Sequence, residues 1–181
     1  GAISDSLSGS DSSKFTIDAS GNVKISSTLD YEANPTYDFN VNVSDGTHTT
    51  TQDVSVTVTN INEAPVASTS MAASSFAENI SVGTTIATIN ATDPESDNIS
   101  YSLSGTGSNK FSIASNGVIT SAGALDYETT TSYNLTVTVS DGNSSSTQNI
   151  TITVADLSLS SLSTTLAASK FSESSSSGTA I

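Results

Sequence analysis

The chain has 181 residues with no Cys, no Trp and only 34% hydrophobic residues, and its 18 Asp and Glu against four Lys and no Arg give a formal net charge of -14. That charge repels phosphate backbones and anionic headgroups, which excludes nucleic acid and membrane surfaces as partners, and no run approaches the roughly 18 apolar residues of a membrane span, so no membrane insertion is expected in this segment. A core drawn from this composition is thin, which suits two-sided sheets, where every second residue stays polar and Thr is comfortable on the solvated face.

Taken in chain order, period-2 alternation predicts a strand over Tyr37, Phe39, Val41 and Val43 and another over Val54, Val56 and Val58. Asp45-Gly46 lies between them as a hairpin-turn signal, since Gly accepts positive φ. Shorter strands are expected at residues 86–89, 99–103 and 111–113 and around Val118-Ile119. A second long pair follows, Tyr133, Leu135, Val137 and Val139 against Ile150, Ile152 and Val154, with Asp141-Gly142 between.

These pairs are copies. Phe15 matches Phe111, Leu29-Asp30-Tyr31-Glu32 matches Leu125-Asp126-Tyr127-Glu128, and Val43-Ser44-Asp45-Gly46 matches Val139-Ser140-Asp141-Gly142, each 96 positions apart (15 to 111, 29 to 125, 43 to 139). A further match joins residues 71–78 to 166–173 at an offset of 95 (76 to 171). A repeat of this kind identifies an array in which each unit contacts its neighbours. The reading is residues 1–65 as the back part of one repeat with its linker, 66–161 as a complete repeat, and 162–181 as the start of a third. About seven short strands per repeat read as an all-β, Greek-key β-sandwich.

Acidic residues gather at strand ends and turns. One group is Leu29-Asp30-Tyr31-Glu32 with Asn60-Ile61-Asn62-Glu63-Ala64-Pro65; another is Asp93-Pro94-Glu95-Ser96-Asp97 with Asp141. Calcium takes six to eight oxygen donors in a flexible shell, and a linker flanked by acidic loops from two repeats supplies them. Without an ion such carboxylates repel one another and the joint loosens.

On these motifs the chain resembles cadherin-type repeats, in particular the bacterial cadherin-like repeats of large surface adhesins. The resemblance implies tandem cadherin/Ig-like sandwiches of an extracellular or cell-surface adhesion protein, with calcium held where repeats meet. Residue by residue it implies Asp30, Glu32, Asn60, Asn62, Glu63, Asp93, Asp97 and Asp141 as donors at the first junction, and Glu78, Asp126, Glu128 and Asp156 at a weaker second one. Ala91 stands where the family has the first Asp of an Asp-x-Asp turn, and Asn60 replaces the first linker Asp, so one or two ions are expected at the first junction. At the second, only Asp156 remains of the linker, before Leu157-Ser158-Leu159.

The function expected is therefore a structural extender: repeats in series, head to tail, stiffened by calcium at the first junction at least, with homophilic or fibre-forming contacts open. The alternative is a subunit of a self-assembling extracellular fibre, in which residues 171–181 of a neighbouring chain complete the first sandwich by strand addition. No enzyme is expected. Asp126 and Glu128 sit two apart on one segment and do not flank a cleft as a glycosidase pair does. His48 follows Asp45-Gly46 with no second His or Cys beside it, and reads as a surface residue. Of the Asn-x-Ser/Thr triplets at Asn42, Asn79, Asn90, Asn98, Asn134, Asn143 and Asn149, chance in an Asn-, Ser- and Thr-rich chain explains most, and glycosylation at the others stays open.

Overall fold

A computed structural model describes residues 2–157. The expectation of a third repeat beginning at 162 lies outside the described residues. The chain divides into two compact units, Gly1–Glu63 with Pro94–Ser96, and Ala64–Asp93 with the residues from Asp97 onward.

In the first unit, β1 (Ser4–Ser8), β2 (Phe15–Ile17), β3 (Val23–Ile25), β4 (Thr36–Ser44) and β5 (Thr49–Thr57) form two antiparallel sheets, ordered β1-β4-β5 and β2-β3. The long hairpin keeps an unbroken register from Thr36 opposite Thr57 to Ser44 opposite Thr49. Its inward positions are Tyr37 and Phe39, which with Phe15 make the whole buried core; Leu7, Leu29, Val41, Val54, Val56 and Val58 pack around it half-buried. Phe15 lies 4.4 Å from Phe39 and edge-on to Tyr37 at 6.4 Å, centroid to centroid. Three rings thus carry most of the apolar burial of this unit.

The second unit holds β6 (Val66–Met71), β7 (Phe76–Ala77), β8 (Thr85–Thr92), β9 (Ser100–Ser104), β10 (Phe111–Ile113), β11 (Val118–Ser121), β12 (Ser132–Ser140) and β13 (Ser145–Ala155). They make two four-stranded sheets, β10-β11-β8-β6 and β7-β13-β12-β9. All neighbours are antiparallel except β7, which runs parallel to β13 with Phe76 opposite Val154. The alternating residues of β12 and β13, Tyr133, Leu135, Val137, Val139, Ile150, Ile152 and Val154, meet Ile86, Ala87 and Ile89 of β8 and Ile119 of β11 in one core. This is the all-β sandwich that the alternation predicts.

β8 separates the two units energetically. Val23 and Val43 of the first unit are 38% and 40% exposed, while their counterparts 96 positions on, Ile119 and Val139, are 0% exposed. At about 25 cal/mol per Å² of apolar surface removed from water, the second unit gains far more from the same strand pattern.

The hairpin tips are four-residue loops. Asp45 Oδ1 accepts the backbone N–H of Thr47 (2.8 Å) and of His48 (2.7 Å), and Asp141 Oδ1 accepts those of Asn143 and Ser144, both at 2.6 Å. The Asp of each Asp-Gly therefore caps its own turn, as Asx turns do. The two N–H groups hold Asp45 below the usual carboxylate range, His48 contributing most and then Thr47.

Candidate metal centre

Glu32, Glu63 and Glu95 each place a carboxylate oxygen within 4.8 Å of the others. All three belong to the first unit, whose membership includes Pro94–Ser96. Glu32 and Glu63 line an open cleft of about 260 Å³ together with Thr28, Leu29, Asp30 and Pro94. Calcium–oxygen distances of about 2.3–2.6 Å put two oxygens on opposite sides of one ion about 4.6–5.2 Å apart, so three oxygens at this spacing fit around a single calcium.

The electrostatics of this group are unfavourable without a cation. Both carboxylate oxygens of Glu95 are buried and meet no hydrogen-bond donor. Glu63 is held above the usual carboxylate range, first because the Glu95 carboxyl lies close enough to share a proton with it, then by partial desolvation and by the charges of Glu95, Glu32 and Asp30. Basic side chains do not relieve it: among the described residues, Lys24 pairs with Asp18 at 3.2 Å, and the His48 ring lies 3.9 Å from Asp45.

The neighbouring expected donors are used locally. Asp30 Oδ1 accepts the Ala33 N–H at 2.9 Å, while Tyr37 Oη accepts the Asp30 N–H at 2.9 Å, so Asp30 closes the turn before β4. Asn62 donates from its side chain to the Glu63 carbonyl at 2.8 Å, and Asn60 is exposed. In the second unit, Asp93 Oδ1 accepts the Asp97 N–H at 3.0 Å and Asp93 Oδ2 is buried without a partner. Glu95 is the member of this carboxylate group that sequence reasoning left out. Its signal in the sequence was no more than the Asp93-Pro94-Glu95 turn, in which Pro94 fixes the backbone beside the acid.

A second group, within the second unit, joins Glu78, Glu128 and Asp156, again with oxygens within 4.8 Å of one another. Here protein donors already serve the charge. Glu78 accepts the backbone N–H of Tyr127 (3.1 Å) and of Leu157 (3.0 Å). The Tyr127 N–H, then that of Leu157, hold its carboxyl below the usual range. Asp126 turns away to Thr129, whose backbone N–H and hydroxyl it accepts at 3.0 and 2.8 Å; the hydroxyl, then the N–H, lower its pKa. In both repeats the Asp of Leu-Asp-Tyr-Glu caps a turn and the Glu two residues on joins a carboxylate group.

Residues 73–155 match the cadherin domain family. The Fat-like cadherin-related tumor suppressor homolog of Drosophila melanogaster is 34% identical over 139 residues, which is 75% of this chain and 3% of that protein. Protocadherin Fat 4 of Mus musculus is 35% identical over 140 residues, 72% of this chain and 3% of that protein. The chain thus spans about 3% of the length of these relatives. Human Protocadherin-24 EC1-2 (Form II) superposes at a TM-score of 0.55 and 27% identity over 86% of this chain and 82% of that one. PcdhgB3 EC1-4 does so at 0.61 and 26% over 87% and 41%. The two curated relatives are animal proteins, so the likeness holds for cadherins broadly and does not single out the bacterial adhesins. The sandwich fold, the match of residues 73–155 to the cadherin domain family and this similarity over most of the chain support the cadherin superfamily, whose repeats are extracellular or at a cell surface.

Proposed function

We propose that this chain is an extender and adhesion segment of a longer surface protein, in which calcium at the first acidic group stiffens one repeat against the next. The observation that carries the reading is the Glu95 carboxylate, buried without a hydrogen-bond donor beside Glu32 and Glu63. A buried charge without a partner costs free energy, and a divalent cation removes the cost. Asp30, Asn60 and Asn62 would supply further oxygens, and Asp93, Asp97 and Asp141 are the proposed donors of the following repeat. Glu78, Asp126, Glu128 and Asp156 make a weaker second site, because the Tyr127 and Leu157 N–H groups and Thr129 already satisfy two of its acids.

The role is mechanical rather than catalytic, with neighbouring repeats as head-to-tail partners. Titration calorimetry with calcium tests it: saturable binding that Glu95→Gln removes supports the site, and heats indistinguishable from dilution refute it.

A further inference from the structure

We infer that the second unit binds a small hydroxylated carboxylic acid, of the sugar-acid class, in an open cavity beside Tyr133. The cavity holds about 460 Å³, within the roughly 300–1,000 Å³ of small-molecule sites. Lys110, Tyr133 and Asn134 border it, with Thr106, Thr130 and Ser132 around them. All of these belong to the second unit, and the same place in the first unit, 96 positions earlier, states what the cavity is missing. There Asp11 Oδ2 accepts the backbone N–H of Asp38 at 2.9 Å, and the Asp38 carbonyl accepts that of Asp11 at 3.3 Å. Tyr37 Oη accepts the Asp30 N–H at 2.9 Å and donates to the Asp30 carbonyl at 3.1 Å.

In the second unit neither arrangement is present. Gly107 stands where Asp11 does and has no carboxylate to offer. Asn134 holds the register of Asp38, opposite Thr151 as Asp38 is opposite Ser55, so its N–H points away from β13 in the same way. β9 ends at Ser104 opposite Thr136 and does not reach it. The Tyr133 ring lies against Gly107, where a Cβ would stand 2.5 Å from its Cδ1. Unlike Tyr37 Oη, Tyr133 Oη forms no hydrogen bond among the described residues, and Lys110 forms no ion pair among them.

An N–H, a phenol and an ammonium thus open to one cavity, and the group that the first unit places there is a carboxylate. A ligand carboxylate takes the place of the Asp11 side chain on the Asn134 N–H, with Lys110 to meet its charge. The hydroxyls of Thr106, Thr130 and Ser132 can each donate and accept, which suits a ligand that is itself hydroxylated. Asp126, also on the cavity wall, takes the Thr129 N–H and hydroxyl and keeps lone pairs for a ligand hydroxyl. The net charge of -14 opposes an anion at a distance, so these short contacts set the affinity.

Heteronuclear NMR of the 181-residue chain in chelator tests this, with sodium glucuronate as the probe. The Gly107 and Asn134 amide signals should shift and saturate with a Kd of about 1 mM, the affinity that about 13 non-hydrogen atoms give at ordinary ligand efficiency. Lys110→Gln should weaken binding about tenfold. Tyr133→Phe should weaken it about 2- to 10-fold and leave the second unit's stability unchanged, because Oη has no internal bond to lose, whereas Tyr37→Phe lowers that of the first unit. Glucose should leave these signals in place, and acetate should bind more weakly than glucuronate. Shifts that do not saturate, that are unchanged in Lys110→Gln, or that glucose reproduces overturn the proposal, as does a Tyr133→Phe chain whose second unit is destabilised. Tighter binding of acetate or of an N-acetyl-aspartyl peptide than of glucuronate also overturns the sugar-acid assignment. Glu95→Gln keeps the glucuronate response while losing the calcium one, so the two readings fail separately.

Discussion

Replacing Gly117 by Ala destabilises the second unit far more than Gly21→Ala destabilises the first, although the two glycines are the same position of the repeat. Both have positive φ, +79° at Gly117 and +81° at Gly21, and an L-residue there costs about 1–2 kcal/mol in either unit. The surroundings differ. A Cβ on Gly117 would stand 2.2 Å from the Ile89 carbonyl oxygen, whereas on Gly21 it would meet only Asp5 Oδ2 at 3.6 Å. Relief at Gly117 requires β8 to move away, which strains the 2.9 Å bond from the Ile89 N–H to the Gly117 carbonyl, worth about 1 kcal/mol. It also shifts Ile89, 1% exposed, and overpacking of that kind costs about 1–3 kcal/mol. The expected losses are therefore about 3–6 kcal/mol for Gly117→Ala and about 1–2 kcal/mol for Gly21→Ala. Urea unfolding with hydrogen-exchange mass spectrometry reads each unit through its own peptides. Equal losses in the two units would refute the argument that β8 closes only the second.

Three further outcomes follow from the same geometry. Phe39→Ala removes one of the three rings of the first core and costs about 3–5 kcal/mol, so exchange protection across β4 and β5 should collapse while β12 and β13 keep theirs; protection retained in both would contradict the thin core. Because Glu63 is raised above its unfolded value of 4.5, the folded first unit binds the proton more tightly, so in chelator its stability falls as pH rises from about that value through the raised folded pKa. Thermal melts across pH should show that fall, and Glu95→Gln should flatten it. Glu78 is lowered instead, so its contribution is present above its unfolded pKa and lost as pH falls through the folded one; Glu78→Gln should make the second unit's melting less sensitive to acid, and an unchanged profile would deny the role of the Tyr127 and Leu157 N–H groups.

The strands of the long hairpins were legible because Tyr133, Leu135, Val137 and Val139 alternate without interruption and their copies sit at a fixed offset. β6 was not, since Val66–Met71 is polar at its centre and largely exposed, so no alternation marks it. The turns Ser12–Lys14 and Ser108–Lys110 also left no periodic trace, being single 3-10 turns. In the acidic groups, Glu32, Glu63, Glu78, Glu128 and Asp156 came from the resemblance to cadherin repeats and are gathered as carboxylate clusters. The resemblance alone could not tell that Asp30, Asp126 and Asp141 spend oxygens on N–H groups of their own turns. Nor could it show that Glu95 is buried, because burial depends on what packs over the Asp-Pro-Glu turn rather than on the turn itself.

The central claim is that calcium holds the first acidic group and stiffens the chain there. Its most direct test is small-angle scattering of the 181-residue chain across a calcium titration. The account predicts a longer, narrower distance distribution with calcium, reversed by chelator and absent in Glu95→Gln. A distribution that is the same in calcium and chelator would contradict it.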